Sequence, residues 1–131
     1  MNTRRCHGYL AGLIALGVLI ATEPAQCGGP DPGVKKTFDN LLTAIKANDR
    51  KAFVADATDL VKKGMTPEIM DELSKQLGAR LKKGFEAAYL CQLKQEGHQI
   101  HLWKLTFKDQ GDDVIVRLAL KDGKVAGFFL Q

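Results

Sequence analysis

Apolar residues recur at two different spacings along this chain, and the change between them falls at Gly84. Upstream, Val34, Phe38, Leu41, Leu42 and Ile45 follow the three- and four-residue steps of a helix with one apolar stripe. Asp31 and Pro32 suit its start, because the carboxylate can accept the free amides of a first turn and proline has none to leave unpaired. Asn48 and Asp49 break the stripe and open a second helix, with Phe53, Val54, Ala57, Leu60 and Val61 on its apolar face and Gly64 as its stop. Thr66, Pro67 and Glu68 start a third: hydroxyl cap, proline in the first turn, carboxylate near the positive end of the dipole. Ile69, Met70, Leu73 and Leu77 supply its buried face, and Gly78 is expected to end it.

Beyond Gly84 the period shortens to two, the signature of strands. Phe85, Ala87, Tyr89, Cys91 and Leu93 fall on one face of a first strand, and Glu86, Gln92, Lys94 and Glu96 on the other. After a turn at Gly97, His101, Trp103, Leu105 and Phe107 share one side of a second strand, with His98, Ile100, Leu102, Lys104 and Thr106 opposite. A turn at 109–112 leads to Val114, Val116, Leu118 and Leu120 on one face of a third. Asp122 and Gly123 then make a two-residue hairpin, since both tolerate positive φ. The last strand, 124–130, contains Gly127, which marks a bulge or a close backbone approach. The predicted class is α+β: three N-terminal helices packed on a four-stranded antiparallel meander. Ile100, Leu102, Ile115 and Phe129 are apolar on the second face, so that face is expected to meet a partner, most simply a second copy of the chain.

The first residues change the picture of where the domain works. Arg4 and Arg5 precede residues 6–22, which carry no Asp, Glu, Lys or Arg, with a strongly apolar centre at 9–21. A basic start followed by such a run has the shape of a secretory signal peptide, and it is short for a membrane span of roughly 20 residues. Residues 1–26 are therefore expected to be a cleaved leader, with an uncleaved anchor as the alternative, 27–33 a flexible tail and 34–131 the domain. The protein is expected to be exported, periplasmic or secreted. Cys27, just past the apolar run, is a candidate for lipidation, which would tether the domain to a membrane. Cys27 and Cys91 can pair in an oxidising compartment. A cysteine in a strand and one on a tail fit better with a buried, free Cys91.

The chain carries 19 Lys+Arg against 15 Asp+Glu, a net charge of +4 that owes two units to Arg4 and Arg5. Both signs are interspersed, with no basic stripe of the kind nucleic-acid binding requires. Nucleic acid is not expected as a partner.

Three segments carry a resemblance: FDNLLTAIKANDR at 38–50, MTPEIMDELSKQLG at 65–78 and LWKLTFKDQGDDVIVRLALKDGKVAGFFLQ at 102–131. The chain from about residue 37 onward resembles a small bacterial family of the nuclear-transport-factor-2-like, cystatin-like fold. The resemblance implies helices packed into the concave face of a curved sheet, forming a cone. It also implies an accessory or binding role, and sheets that pair back to back. Larger members of the superfamily include isomerases, dehydratases and epoxide hydrolases, whose carboxylates, histidines or tyrosines project into the cone; fold alone does not carry that chemistry across.

Tyr89, His101 and Trp103 are the ligand-binding candidates. Strand parity puts Tyr89 and His101 on apolar rows, where they can donate to, or take a proton from, the carbonyl of a small ligand. The plainer reading makes both core-edge residues whose polar tips reach backbone or water. Trp103, with Phe107, Phe128 and Phe129, is a ligand platform, a dimer surface or simply core. No carboxylate shares the inward rows unless a shifted register brings in Asp56, Asp59 or Glu86, which weighs against an acid/base enzyme. His98 and His101 are three apart on a strand and point to opposite faces, so no metal site is expected, and no cofactor. The leading expectation is an exported, non-enzymatic domain that binds a small apolar ligand or an envelope protein and forms a homodimer through Ile100, Leu102, Ile115 and Phe129. The competing expectations are a small acid/base enzyme using Tyr89 and His101, and a structural envelope lipoprotein tethered at Cys27.

Overall fold

The computed structural model describes residues 28–131, so the expected leader at 1–26 and Cys27 lie outside the described residues. Helix α1 (Pro32–Ala47) begins where Asp31 and Pro32 place it, with the Asp31 carboxylate accepting the Gly33 amide at 2.8 Å. Phe38, Leu41, Leu42, Ala44 and Ile45 form its buried face.

The second expected helix is two pieces, α2 (Arg50–Phe53) and α3 (Asp59–Gly64), capped by Asp49 and Thr58. The break has a cause in the sheet. Asp56 accepts the Val125 amide at 2.8 Å and the Thr58 amide donates to the Val125 carbonyl at 2.9 Å, so 56–58 pairs with an edge strand instead of continuing the helix. This pairing buries Ala57, covers part of an otherwise open edge, and turns α3 so that Leu60 is 79% exposed and not on the buried stripe.

The third run is longer than its glycine pattern implies. α4 (Pro67–Leu73), a π turn (Ser74–Gly78) and α5 (Ala79–Lys83) follow without interruption, and the stop is Gly84 at φ 111. Ile69, ahead of the π turn, is half exposed, while Met70, Leu77 and Leu81 are buried. Gly78 is a contact residue, not a terminator: a Cβ there would lie 2.9 Å from the Ile45 carbonyl oxygen of α1.

Strands β1 (Phe85–Gln95), β2 (His98–Phe107), β3 (Val114–Lys121) and β4 (Lys124–Leu130) form one antiparallel meander in the order β1-β2-β3-β4. Asp122 (φ 50) and Gly123 (φ 76) make the expected tight hairpin. The helices cover one face of the sheet, and Trp103, Leu105, Phe107, Val116, Leu118 and Val125 meet Phe38, Leu41, Ile45, Phe53 and Met70 in a single core. At its centre the Phe38 ring stacks on Trp103 at 4.1 Å and 5°. Among the described residues no helix is long and apolar enough to cross a membrane.

Arg80 clasps the far end. Its guanidinium lies 3.8 Å from the Phe107 ring centroid, grips Asp109 through two bonds of 2.8 and 3.2 Å, and donates to the Asp112 carbonyl at 2.8 Å. The Arg80 bond, helped by the Gly111 amide, holds the Asp109 carboxyl down to about 2.

Alanine normally favours a helix interior over glycine by about 1 kcal/mol. At Gly78 the contact with a backbone oxygen should reverse the sign, and Gly78→Ala is expected to cost about 1–3 kcal/mol in urea denaturation. Gly64→Ala, where a Cβ meets nothing within 4 Å, should be neutral or stabilising. A stabilised Gly78→Ala would contradict this account of the packing.

Candidate functional site

One departure from strand alternation builds the site. Tyr89 pairs with Trp103, whereas Cys91, not Leu90, pairs with Leu102. Leu90 is thus an extra residue, a β-bulge that reverses the facing of everything after it. Phe85, Ala87 and Tyr89 share the helix-facing side as expected, but Cys91 and Leu93 turn to the outer face opposite Leu102 and Ile100. Gln92, expected outside, pairs with His101 on the inner side.

His101 is 2% exposed. Its Nδ1 lies 3.0 Å from the Tyr89 hydroxyl, and its ring is 5.9 Å from Trp103. Its Nε2 is buried with no hydrogen-bond partner among the described residues. A buried polar nitrogen left in that state costs about 1–3 kcal/mol relative to a satisfied one. Burial holds the imidazole below its ordinary 6.5, with the Asp31 carboxylate pulling the other way, so the ring is neutral at neutral pH. The two ring nitrogens face apart. Nδ1 is turned toward Tyr89, and His101 lies near the start of β2.

At that end a cleft of about 520 Å³ opens between the first turn of α1 and the sheet, and His101 lines it. Asp31, Val34 and Thr37 form the helical wall; Gln92, Gln99 and Leu120 form the sheet wall. The volume falls within the roughly 300–1,000 Å³ of small-molecule sites. The Phe38–Trp103 stack fills the middle of the space between α1 and the sheet, and the cleft lies beyond it beside the first turn of α1.

The sequence candidates separate here. Tyr89 and His101 are brought together, and His101 reaches the cleft. Trp103 is 3% exposed between Phe38 and Tyr89 and does not line it. Asp31, Gln92 and Gln99 do line it and were not candidates. Asp31 showed only its capping role, and Gln92 was hidden by the bulge.

The outer face carries the interface candidates. Ile100 is buried, Leu102 and Ile115 are half-buried, and Phe129 is 52% exposed. The Phe129 ring covers Gly127, where a Cβ would sit 2.5 Å from a ring carbon, and the Arg117 guanidinium lies 5.8 Å from the ring. Ala126 is the bulge residue of β4, since Leu120 pairs with Val125 and Ala119 with Gly127. Cys91 is a free, half-buried thiol on this face. A further groove of about 330 Å³ between α1 and α2 contains Asp49 and Asp56. Asp49 Oδ1 is committed to the Ala52 amide at 3.0 Å, and the groove has no buried unpartnered polar atom among the described residues.

No protein-family model and no curated protein matches the chain. Among solved structures it is similar to an uncharacterised cystatin-fold protein from Novosphingobium aromaticivorans: 15% identical, over 73% of this chain and 95% of that one, with a TM-score of 0.40. The architecture described above stands on the chain's own elements.

Because the unfolded chain takes up the His101 proton at higher pH than the folded one, this residue's contribution is complete above 6.5 and declines as pH falls through the lower folded-state value. Urea unfolding at about pH 7.5 and about pH 5 should therefore show a loss of stability at the lower pH that is smaller in His101→Gln. An equal loss in both proteins would show that His101 does not titrate as described.

Proposed function

We propose that this chain is an exported, non-enzymatic binding domain of the nuclear-transport-factor-2-like type, which takes a small molecule in the cleft beside His101. The observation that carries the reading is the cleft of about 520 Å³ between α1 and the sheet, within the size range of small-molecule sites. Asp31, Thr37, Gln92 and Gln99 in its lining favour a ligand with polar groups over a wholly apolar one.

Pairing of two copies through the outer sheet face is the second part of the proposal. Phe129 and Leu93, 52% and 41% exposed, adjoin half-buried Leu102 and Ile115 on a face that charged side chains only partly cover. The Tyr89–His101 hydrogen bond also supports the acid/base reading, with the neutral imidazole as base. Asp31 supplies the carboxylate missing from the inward strand rows, but it is engaged in capping α1.

The binding reading separates from a purely structural one without a ligand in hand. If His101 serves recognition, replacing it by an apolar group of similar size, His101→Leu, should leave stability unchanged or raised, since the buried nitrogen without a partner is removed. A loss greater than about 2 kcal/mol would make His101 a structural element. For the second part, sedimentation equilibrium should show a dimer that Phe129→Asp dissociates. A wild-type protein that stays monomeric at high concentration removes the pairing.

A further inference from the structure

The open edge of the sheet is a second place where the molecule can take a partner, independent of the cleft. We propose that the free part of β4 takes up an extended segment of a partner protein, apolar at alternate positions and acidic at its ends, as an added strand in the groove between β4 and α3. Pairing of two copies across the outer sheet face would leave this edge open.

The ladder fixes which backbone groups are free. Ile115 and Gln131 exchange two bonds of 2.8 and 2.9 Å, so they form a hydrogen-bonded antiparallel pair. Bonded and non-bonded pairs alternate along such a ladder. Arg117 with Phe129 is therefore bonded, whereas Leu118 with Phe128 and Val116 with Leu130 are not. The amides and carbonyls of Phe128 and Leu130 thus point away from β3. Val125 has the same outward facing, and residues 56–58 already pair with it through bonds of 2.8 and 2.9 Å. The edge accepts a strand at one end, and no backbone group among the described residues pairs with it at the other. Edges are usually blunted by charge, proline or cover. Gly127, Phe128, Phe129 and Leu130 bring neither charge nor proline, and Phe129 and Leu130 are 52% and 37% exposed.

A groove of about 270 Å³ lies along this stretch, with Leu60, Val61 and Met65 on one wall and Phe128 and Phe129 on the other. Side chains of an added strand alternate between the two faces of the sheet. On the helix side they would meet Val61, Met65 and Phe128, and on the outer side Phe129. Main-chain bonds to the edge and apolar pockets at alternate positions are the two requirements of strand addition. The charges nearby favour an acidic occupant. Lys62 and Lys63 end α3, and Arg50 donates to the Met65 carbonyl and, at 2.9 Å, to the Lys62 carbonyl. None of the three has an ion pair among the described residues. Asp59 stands at the other end of α3, and Glu68 is bonded to Thr66 at the start of α4.

The test is hydrogen exchange followed by ¹H–¹⁵N NMR on the purified protein. Without a partner, the Phe128 and Leu130 amides should exchange rapidly and that of Phe129 slowly. The probe is a short capped peptide alternating valine and threonine, with glutamate at both ends. It should slow exchange at Phe128 and Leu130 and shift their resonances saturably. The same peptide N-methylated along its backbone should not bind, because it keeps the side chains and lacks the donors. Lysine in place of its glutamates should weaken binding about tenfold, and Lys62→Glu with Lys63→Glu should reverse that preference. Gly64 lines the groove and a Cβ there meets nothing within 4 Å, so Gly64→Leu should fold normally and block the peptide. Slow exchange at Phe128 and Leu130 before any peptide is added, or equal binding of the N-methylated peptide, overturns strand addition. Equal binding of the lysine-ended peptide overturns the acidic partner. Binding to phosphatidylglycerol vesicles with no response to any peptide overturns the proposal and makes Leu60 and Phe129 a membrane contact. No response to peptide or vesicle overturns it outright.

Discussion

The stack of Phe38 on Trp103 is the contact on which the rest of the molecule depends. It seats α1 across the sheet with two large rings in parallel contact, and each side of the core then follows. Toward the C-terminal end of α1, the missing side chain at Gly78 lets the long helical run lie against the Ile45 backbone, and Arg80 fastens that run to Phe107 and Asp109. Toward the N-terminal end nothing comparable among the described residues closes the space. Among the described residues the core is filled in the middle and a cleft remains beside the first turn of α1, and the polar residues that line it belong to elements far apart in sequence.

Much of this was legible along the chain. The switch of period at Gly84 located the border between helices and sheet, and Asp122 with Gly123 marked a hairpin whose positive φ values the structure reproduces. Asp31 and Thr66 announced helix starts because capping is a local transaction between a side chain and amides two or three residues on. What escaped was non-local. Gly78 looks like a terminator until α1 is placed beside it. The second helix looks continuous until the backbone groups of β4 compete for residues 56–58. The bulge at Leu90 leaves no mark in composition, and one inserted residue inverted the reading of Cys91, Gln92 and Leu93.

The site was half legible for the same reason. Parity on β2 is unbroken, so His101 was correctly placed on the inner face; Tyr89 precedes the bulge and was also correct. Their hydrogen bond follows from two neighbouring strands. Strand parity makes Trp103 a site candidate, but its indole is stacked on Phe38, meets the Tyr89 ring edge-on and is buried, so it has no free face to offer. Asp31 belongs to a helix start some seventy residues upstream of His101, and only the seating of α1 brings its charge to the same opening. A histidine, a carboxylate and two amides from four separate stretches of chain thus line one cleft.

The account turns on the state of one imidazole. The most direct measurement is a long-range ¹H–¹⁵N spectrum of the His101 side chain at neutral pH, which reports charge and tautomer together. The account predicts a neutral ring, because burial holds the imidazole below its ordinary value. A charged imidazolium at that pH would contradict it, because the ring would then not be packed into the core as described.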